Sequence, residues 1–585
     1  MLATRRTLAA LALCLPVLAG TTACSKRAPE SSAAPAGDPA AAVESSPADD
    51  ESITNTQEAG VDEGGIIKTH GDHLVVLRRG RLFSIDLGGD RLAPLSAIDV
   101  PPVRGHNAWY DEMLVHGDSI VVVGYSYEQS ATEIGLFRID AAGSLSRVDT
   151  YFLRSNDYYS SRNYASRLVG DKLVFYMPHY VGAQIDADNL PAVRGLGRRD
   201  DWSRVVAHSE IVPSIGTAND TLHTLVTCDL GKPEGGCTGR GILGGQGRTF
   251  YVSGDAVYVW TSSGVSDANM VGSALYRLPL DGAPMGALHV QGTPIDQFSF
   301  KQAKDGELHV ALAMSGSGDA MWGAEQAHGD LGMVSISPLA FAKWGARVAN
   351  REYVDLPEPS GAGTLQNRFV GDTLLYGHGS GWSHSNAGSG TVHAHHVDGE
   401  FPDTDLGLAH TVDRLEPLGN NGLVVGGDGN ALHFSSLDLG ERPFVGGHFA
   451  LEGASPGELR SHGFFFKPDR DGSGMLGLPV RPDGIPGYAH LYEGSAAVLY
   501  LNVHDLQFST LGMLAADPRA SQDDSCVASC VDWYGNARPV FYKGRVFALL
   551  GYELVEADIK GGSMIERRRL DVSSLIRGTK LRRAQ

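Results

Sequence analysis

Beyond residue 24 this chain of 585 residues has no apolar run approaching 18 residues. A bilayer-spanning helix needs about 20, so nothing after that point reads as a membrane span. Charge is also sparse. Asp, Glu, Lys and Arg make up 20%, somewhat below the usual share of about 25%. The net charge of −20 repels phosphate backbones and argues against nucleic acid as a partner. The basic stretch Arg567-Arg568-Arg569 to Arg582-Arg583 therefore reads as a solvated end. Tryptophan is down to seven residues, irregularly spaced, without the docking repeats of quinone-cofactor dehydrogenases. A GxSxG elbow, a P-loop and an HExxH helix are missing as well. These absences lower the weight of an enzyme, and no cofactor is expected.

What is abundant is glycine, 74 residues, well above the usual share of about 7%. That balance suits many short strands joined by tight turns. The first residues read differently. Arg5 and Arg6 precede an apolar stretch from Leu8 to Gly20, too short to span a bilayer, as in a signal peptide covering 1–23. Thr21-Thr22-Ala23-Cys24 resembles a bacterial lipobox, in which Cys24 becomes the lipidated N-terminus; ordinary cleavage with Cys24 left free is the alternative. Thr4-Arg5-Arg6-Thr7-Leu8 also fits a twin-arginine signal. Ser25 fits outer-membrane sorting in a Gram-negative source. Residues 24–52 are rich in Ala, Pro, Ser, Asp and Glu and cannot bury enough apolar surface to fold. They form a linker with a coil reach of about 30 Å. The expectation is an exported protein held to the envelope membrane by a lipid.

Of six cysteines, Cys14 leaves with the signal and Cys24 takes the lipid. Cys228, Cys237, Cys526 and Cys530 remain, an even number in an oxidising compartment. Local disulfides Cys228–Cys237 and Cys526–Cys530 are expected; a zinc site is the alternative, though neither pair has CxxC spacing.

A recurring phrase organises the rest. Gly-Asp is followed by β-formers at Gly71-Asp72, Gly117-Asp118, Gly170-Asp171, Gly254-Asp255 and Gly371-Asp372. Looser copies start at Asp305-Gly306, Asn421-Gly422 and Lys543-Gly544. Gly and Asp make the turn, and the β-branched and aromatic run makes a buried strand. A second strand follows several copies, as in Leu82-Phe83-Ser84-Ile85-Asp86 and Leu136-Phe137-Arg138-Ile139-Asp140. Turn, strand, turn, strand at intervals of about 45 to 85 residues is the pattern of propeller blades. With one more blade around Gly463-Phe464-Phe465-Phe466, an all-β propeller of seven or eight blades is expected over 53–575, followed by a tail at 576–585. Val546 to Asp558 is expected to pair with the first copy and close the ring.

The opening Asn55, Gln57, Glu58, Gly60, Val61, Asp62, Glu63, then Lys68 and Thr69, resembles the signature of secreted bacterial and archaeal β-propeller-domain proteins, distantly WD-repeat-like. Ser160-Ser161-Arg162, Gly170-Asp171-Lys172-Leu173 and Gly474-Met475-Leu476-Gly477 extend the likeness over nearly all of 54–570. Gly64-Gly65 and His70 depart from it where acidic residues are usual. The resemblance implies fold and secretion, and no established activity.

Three further features invite a functional reading. His378, His384, His393, His395 and His396 fall within twenty residues. His393 and His395 would face one way on a strand and hold zinc or copper, but Gly and Ser around them read as a solvated loop. Asp469 and Asp471 partly resemble a calcium loop, though without the distal Glu; a hairpin turn is the plainer reading. Glu58, Asp62 and Glu63 are either a cation or partner site, or a segment that staples the closing blade. Residues from about 178 to 250, with Asp200-Asp201-Trp202 and the Cys228–Cys237 loop, read as an extended connection of the kind that carries binding; a decorated blade with no ligand is the equal alternative. The leading expectation is a non-enzymatic protein-binding or assembly module of the envelope, with an envelope protein as partner. A propeller hydrolase or lyase acting on envelope peptides or glycans is the alternative.

Overall fold

The computed structural model describes residues 54–575, apart from 103–107, 161, 183–189, 197–201, 217, 232–236, 264–271, 320–321, 361–362, 381–387, 458–459, 470–472, 483–496, 518–536 and 574. Cys24, Cys526, Cys530, His384, Asp471, Asp200 and Asp201 lie outside the described residues.

The Gly-Asp phrase has a simple local cause. Gly71 and Asp72 form a two-residue hairpin between the paired His70 and His73. Gly117, Gly170 and Gly371 do the same between His116 and Ser119, Val169 and Lys172, and Val370 and Thr373. The four glycines have φ of 54°, 51°, 55° and 56°, the left-handed conformation that tight hairpins demand. The aspartate serves the neighbouring blade. Asp118 meets His70 Nε2 at 3.1 Å, Asp171 meets His116 Nε2 at 3.2 Å, and Asp372 meets Lys301 Nζ at 2.7 Å. Each such contact runs from the first turn of one blade to the first turn of the next.

Each turn starts a sheet, and the described residues form nine rather than seven or eight. We number the blades 1 (67–99), 2 (108–204), 3 (166–244), 4 (247–347), 5 (300–356), 6 (365–408), 7 (414–452), 8 (454–515) and 9 (537–571). The undercount has a physical reason. The loose copies, at Asp305-Gly306, Asn421-Gly422 and Lys543-Gly544, also lie in or beside turns with a left-handed glycine; Gly306, Gly419 and Gly544 have φ of 88°, 65° and 76°. All eight copies therefore open separate blades. The ninth is blade 8, where Phe465–Pro468 pairs with Gly474–Pro482.

Between each pair of successive blades lies one apolar layer. The ring closes the same way: Val540, Tyr542, Phe547 and Leu549 of blade 9 pack on Leu74, Val76, Phe83 and Ile85 of blade 1. Val546–Asp558 is thus packed against the first copy rather than paired with it. Blade 9 is a complete four-stranded sheet of its own. Polar contacts line this seam. Tyr542 donates to Gly71 O at 2.7 Å, Lys543 Nζ meets Asp72 at 3.0 Å, and Arg545 donates to Leu87 O at 2.7 Å.

The described residues of 178–250 follow the decorated-blade reading. Thr221–Asp229 and Cys237–Gly244 complete blade 3, while Ala192–Gly195 and Ser203–Arg204 return to the outer side of blade 2. Trp202 is stacked by Arg154 and Arg194, whose guanidinium carbons lie 4.7 and 4.8 Å from its ring. Cys228 and Cys237 are cross-strand neighbours in blade 3 and form a disulfide.

Candidate functional site

The opening signature occupies the middle of the ring. Val61–Glu63 adds an innermost strand to blade 3 by pairing with Ser166–Val169, and the loop before it touches blades on several sides. Asn55 Nδ2 donates to Glu416 Oε2 of blade 7 (3.0 Å) and to Ser461 O of blade 8 (3.2 Å). Gln57 Nε2 donates to Gln297 O and Phe300 O at blade 5 (2.9 and 3.0 Å). Glu58 accepts from the Tyr251 hydroxyl of blade 4 at 2.6 Å. Gly60 has φ of 77°, turning the loop into the strand, and Val61 sits in the core between blades 3 and 4. Lys68 Nζ gathers Asp62 Oδ1, Thr54 Oγ1 and Glu63 O at 2.5, 3.1 and 2.7 Å. Thr69 is a half-buried member of blade 1, opposite Leu74. The acidic residues thus pin the centre of the ring rather than its closing seam.

Around this segment lies a buried network of charges. Glu63 accepts from His462 Nε2 at 3.0 Å and lies 4.0 Å from Arg167. Burial alone raises a carboxyl pKa, but Arg167 and His462 hold Glu63 down to about 2. Arg167 also donates to Asn163 Oδ1 and Gln297 Oε1, both at 2.6 Å. Arg460 of blade 8 crosses to Asp111 of blade 2 at 2.9 Å. Arg162 reaches Asp296 at 2.7 Å, and Glu416 is held by Arg414 and Arg368 at 2.7 and 3.2 Å.

Two carboxyls adjacent in sequence can both turn inward because the ladder slips one residue between Tyr110 and Glu112. Such a bulge re-aims side chains, and here both Asp111 and Glu112 are buried. Glu112 accepts from the backbone of Ala165 and Ser166 at 2.8 and 2.9 Å and from the Ser166 hydroxyl. Burial and then the Asp111 carboxylate push Glu112 upward. Gly64 departs from the family pattern for a visible reason: a Cβ there would lie 2.7 Å from Glu112 Oε2 and 2.5 Å from Ser166 Oγ.

One buried acid is less fully engaged. Asp319 Oδ2 accepts from Asn163 Nδ2 at 3.0 Å, while Oδ1 has no hydrogen-bond partner. Burial and then Asp296 push its pKa well above the usual range. It borders a small cavity with Tyr158, Asn163, Tyr176, Arg248 and Phe250. The loop carrying it docks on blade 4 through Asp319 N–H to Arg248 O at 2.7 Å. Gly318 (φ 63°) permits the approach, since a Cβ would fall 2.2 Å from Arg248 O.

The histidine segment corrects the expectation of a solvated loop. His393, His395 and His396 belong to the blade 6 strand Gly390–His396 and are buried. His393 Nδ1 and His395 Nδ1 do share a face, but each meets its own carboxylate, Asp405 and Asp403, at 2.6 Å. Asp469 N–H donates to Ser473 O at 2.6 Å, closing a turn. Among the described residues no group of three His, Cys, Asp or Glu side chains is disposed to hold a metal. Sequence reasoning passed over Arg167, Asp319, Glu416, Arg460 and His462. The available signal was charge at alternate positions inside apolar strands, as in Arg414-Leu415-Glu416.

Residues 51–330 match the family model described as Beta propeller domain. No curated protein matches the chain. Among solved structures, the tricorn protease is similar at 11% identity and a TM-score of 0.32, over 67% of this chain and 35% of its own. This chain therefore spans about a third of that protease. A hypothetical selenium-binding protein from Sulfolobus tokodaii is similar at 10% identity and 0.31, over 68% and 91%. A Synechocystis apocarotenoid oxygenase mutant is similar at 10% identity and 0.32, over 78% and 95%.

Proposed function

With residues 51–330 belonging to the Beta propeller domain family, we propose that this chain is a lipoprotein anchored to the cell envelope through Cys24. On this reading its propeller serves as a non-enzymatic protein-binding or assembly module. One observation supports the non-enzymatic part most strongly. The centre of the ring, where residues from many blades converge, is filled by the chain's own segment 54–63. The charged groups around it are consumed by one another: Glu63 by His462, Asp111 by Arg460, Asp296 by Arg162 and Glu416 by Arg414. A carboxyl whose oxygens are taken up by neighbouring cations lacks the open position that acid–base catalysis needs. That leaves the loop faces and outer edges to meet a partner.

The test is native purification from the producing cell's membranes, followed by crosslinking mass spectrometry. Reproducible crosslinks from the loop faces to one envelope protein are expected. Cys24→Ser is expected to move the chain from the membrane to the soluble fraction. A chain that stays with the membrane after that change, or that purifies alone without crosslinks, removes the reading.

The hydrolase or lyase reading draws on one observation, the raised Asp319 carboxyl with its Oδ1 unpartnered beside a cavity. A protonated acid of this kind suits a general acid. Asp319→Asn abolishing turnover of an envelope peptide or glycan, with the fold intact, would move the assignment to that reading.

A further inference from the structure

Blade 7 carries a second set of histidines, unrelated to the run at 378–396. His433 lies on the strand Ala431–Asp438 and His448 on its neighbour Phe444–Glu452. Their rings meet nitrogen to nitrogen, with His433 Nδ1 2.9 Å from His448 Nε2. One proton lies between two lone pairs. Two imidazole nitrogens sharing one ion at bonds of about 2.0–2.1 Å and a tetrahedral angle stand about 3.3 Å apart. The observed spacing is thus a few tenths of an ångström from a chelating one.

The remaining contacts fix the first ring. His433 Nε2 lies 3.2 Å from Asp428 Oδ2, off the line of a hydrogen bond. Asp428 is itself held in the turn, where Oδ1 accepts from Asn430 N and Ala431 N at 2.7 and 2.8 Å. A carboxylate beside the far nitrogen favours the Nε2–H tautomer of a metal-binding histidine, the one that turns the Nδ1 lone pair toward His448. His410 lies parallel to His433 with ring centres 5.2 Å apart. It donates from Nδ1 to Thr411 O and accepts at Nε2 from Ser435 Oγ, both at 2.8 Å. Gly426 makes room for this loop, because a Cβ there would sit 1.7 Å from Thr411 O. His433 and His410 are buried, while His448 is exposed and open to water.

We propose that His433 Nδ1 and His448 Nε2 form a two-nitrogen chelate for a divalent transition metal of the zinc, copper and nickel class, with Asp428 orienting His433 and water completing the coordination. Binding requires the shared proton to leave Nε2 of His448 for its Nδ1 and the exposed His448 ring to turn, so that both nitrogens direct lone pairs at one ion off the line between them. No net proton is released. Imidazole is a good ligand for these ions, and a two-histidine site with water asks for no third protein ligand.

The full mature protein, stripped with a chelator, is titrated with copper(II) chloride and with zinc chloride. Calorimetry is expected to give one ion per chain, and copper electron paramagnetic resonance is expected to show hyperfine structure from two nitrogens. His448→Ala, at an exposed position, is expected to abolish both signals while leaving circular dichroism unchanged. Asp428→Asn is expected to weaken binding about tenfold to a hundredfold and keep the two-nitrogen spectrum. His393→Ala is expected to change nothing. The absence of stoichiometric binding overturns the proposal. So does binding that survives His448→Ala, or that disappears with His393→Ala instead.

Discussion

At the residue scale, the central charges decide how the ring responds to acid and base. Glu63 has its pKa lowered to about 2 from an ordinary 4.5. Its contribution to stability is therefore present above pH 4.5 and is lost as pH falls toward 2. Removing it leaves Arg167 buried without its countercharge, a change that costs about 3–5 kcal/mol when an ion pair is broken from one side. Glu63→Ala is expected to lower the unfolding free energy measured in urea by that amount at pH 7 and by much less at pH 2.5. Glu112 has the opposite sign. Burial and Asp111 raise its pKa, so its contribution is present below the ordinary carboxyl range and is lost as pH rises through the raised value. Glu112→Gln is accordingly expected to be relatively more stable, against the parent, at pH 8 than at pH 5. An equal difference at both values would mean that Glu112 is ionised in the folded ring.

At the element scale, the Gly-Asp hairpin combines a backbone requirement with an inter-blade contact, and the two are separable. Gly117 has φ of 51° and open space where a Cβ would go, whereas Gly254 has open space and no positive φ. Gly117→Ala is expected to cost about 1–2 kcal/mol, the penalty of placing an L side chain in the left-handed region. Gly254→Ala should be neutral or slightly stabilising through the unfolded chain. Thermal unfolding of the two variants checks this, and equal shifts would refute the conformational argument. The aspartate contacts are mostly exposed, so Lys543→Ala should cost under about 1 kcal/mol. The cross-strand Cys228–Cys237 bond closes a short loop of blade 3; Cys237→Ser is expected to remove about 2–3 kcal/mol, measured by denaturant unfolding.

What was legible in the sequence divides along the same line. The hairpin phrase and the alternating strands are local signals, and they located eight first turns and the all-β class. The Cys228–Cys237 pair was also local, two residues facing one another across a single hairpin. Blade 8 was placed by the aromatic run Gly463-Phe464-Phe465-Phe466 alone, because the phrase is missing between Phe465–Pro468 and Gly474–Pro482. The histidines at 393–396 looked like loop because Gly and Ser flank them, yet the strand is fixed by pairing to Thr373–His378 and Thr404–Leu408. The centre was illegible for a different reason. Asn55 and Glu416 are 361 positions apart, and no pattern in one chain reports such a contact. The signature could be recognised, but not where it goes.

At the scale of the whole molecule, closure and filling are carried by different parts of the chain. Closure rests on the apolar layer between blades 9 and 1, which residues 54–60 do not enter. Filling rests on those residues, which hold Glu416, Gln297, Phe300 and Tyr251 from the inside. A chain beginning at residue 61 is therefore expected to remain a closed ring of unchanged radius in small-angle scattering. It should unfold at a lower temperature, because Tyr251 and Glu416 lose partners. A chain ending at residue 517 should behave otherwise. Without blade 9 it exposes Leu74, Val76, Phe83 and Ile85 on one side, and Val498, Tyr500 and Leu514 on the other. Each fully buried side chain of this kind is worth about 1.5–3 kcal/mol. Seven of them are together comparable to the entire 5–15 kcal/mol by which folded proteins are usually stable. The expected outcome is aggregation or loss of cooperative unfolding for the shorter C-terminus, and a folded, softened ring for the shorter N-terminus. If the N-terminal truncation instead opened the ring, segment 54–60 would be part of the closure, and the division between seam and centre would fail.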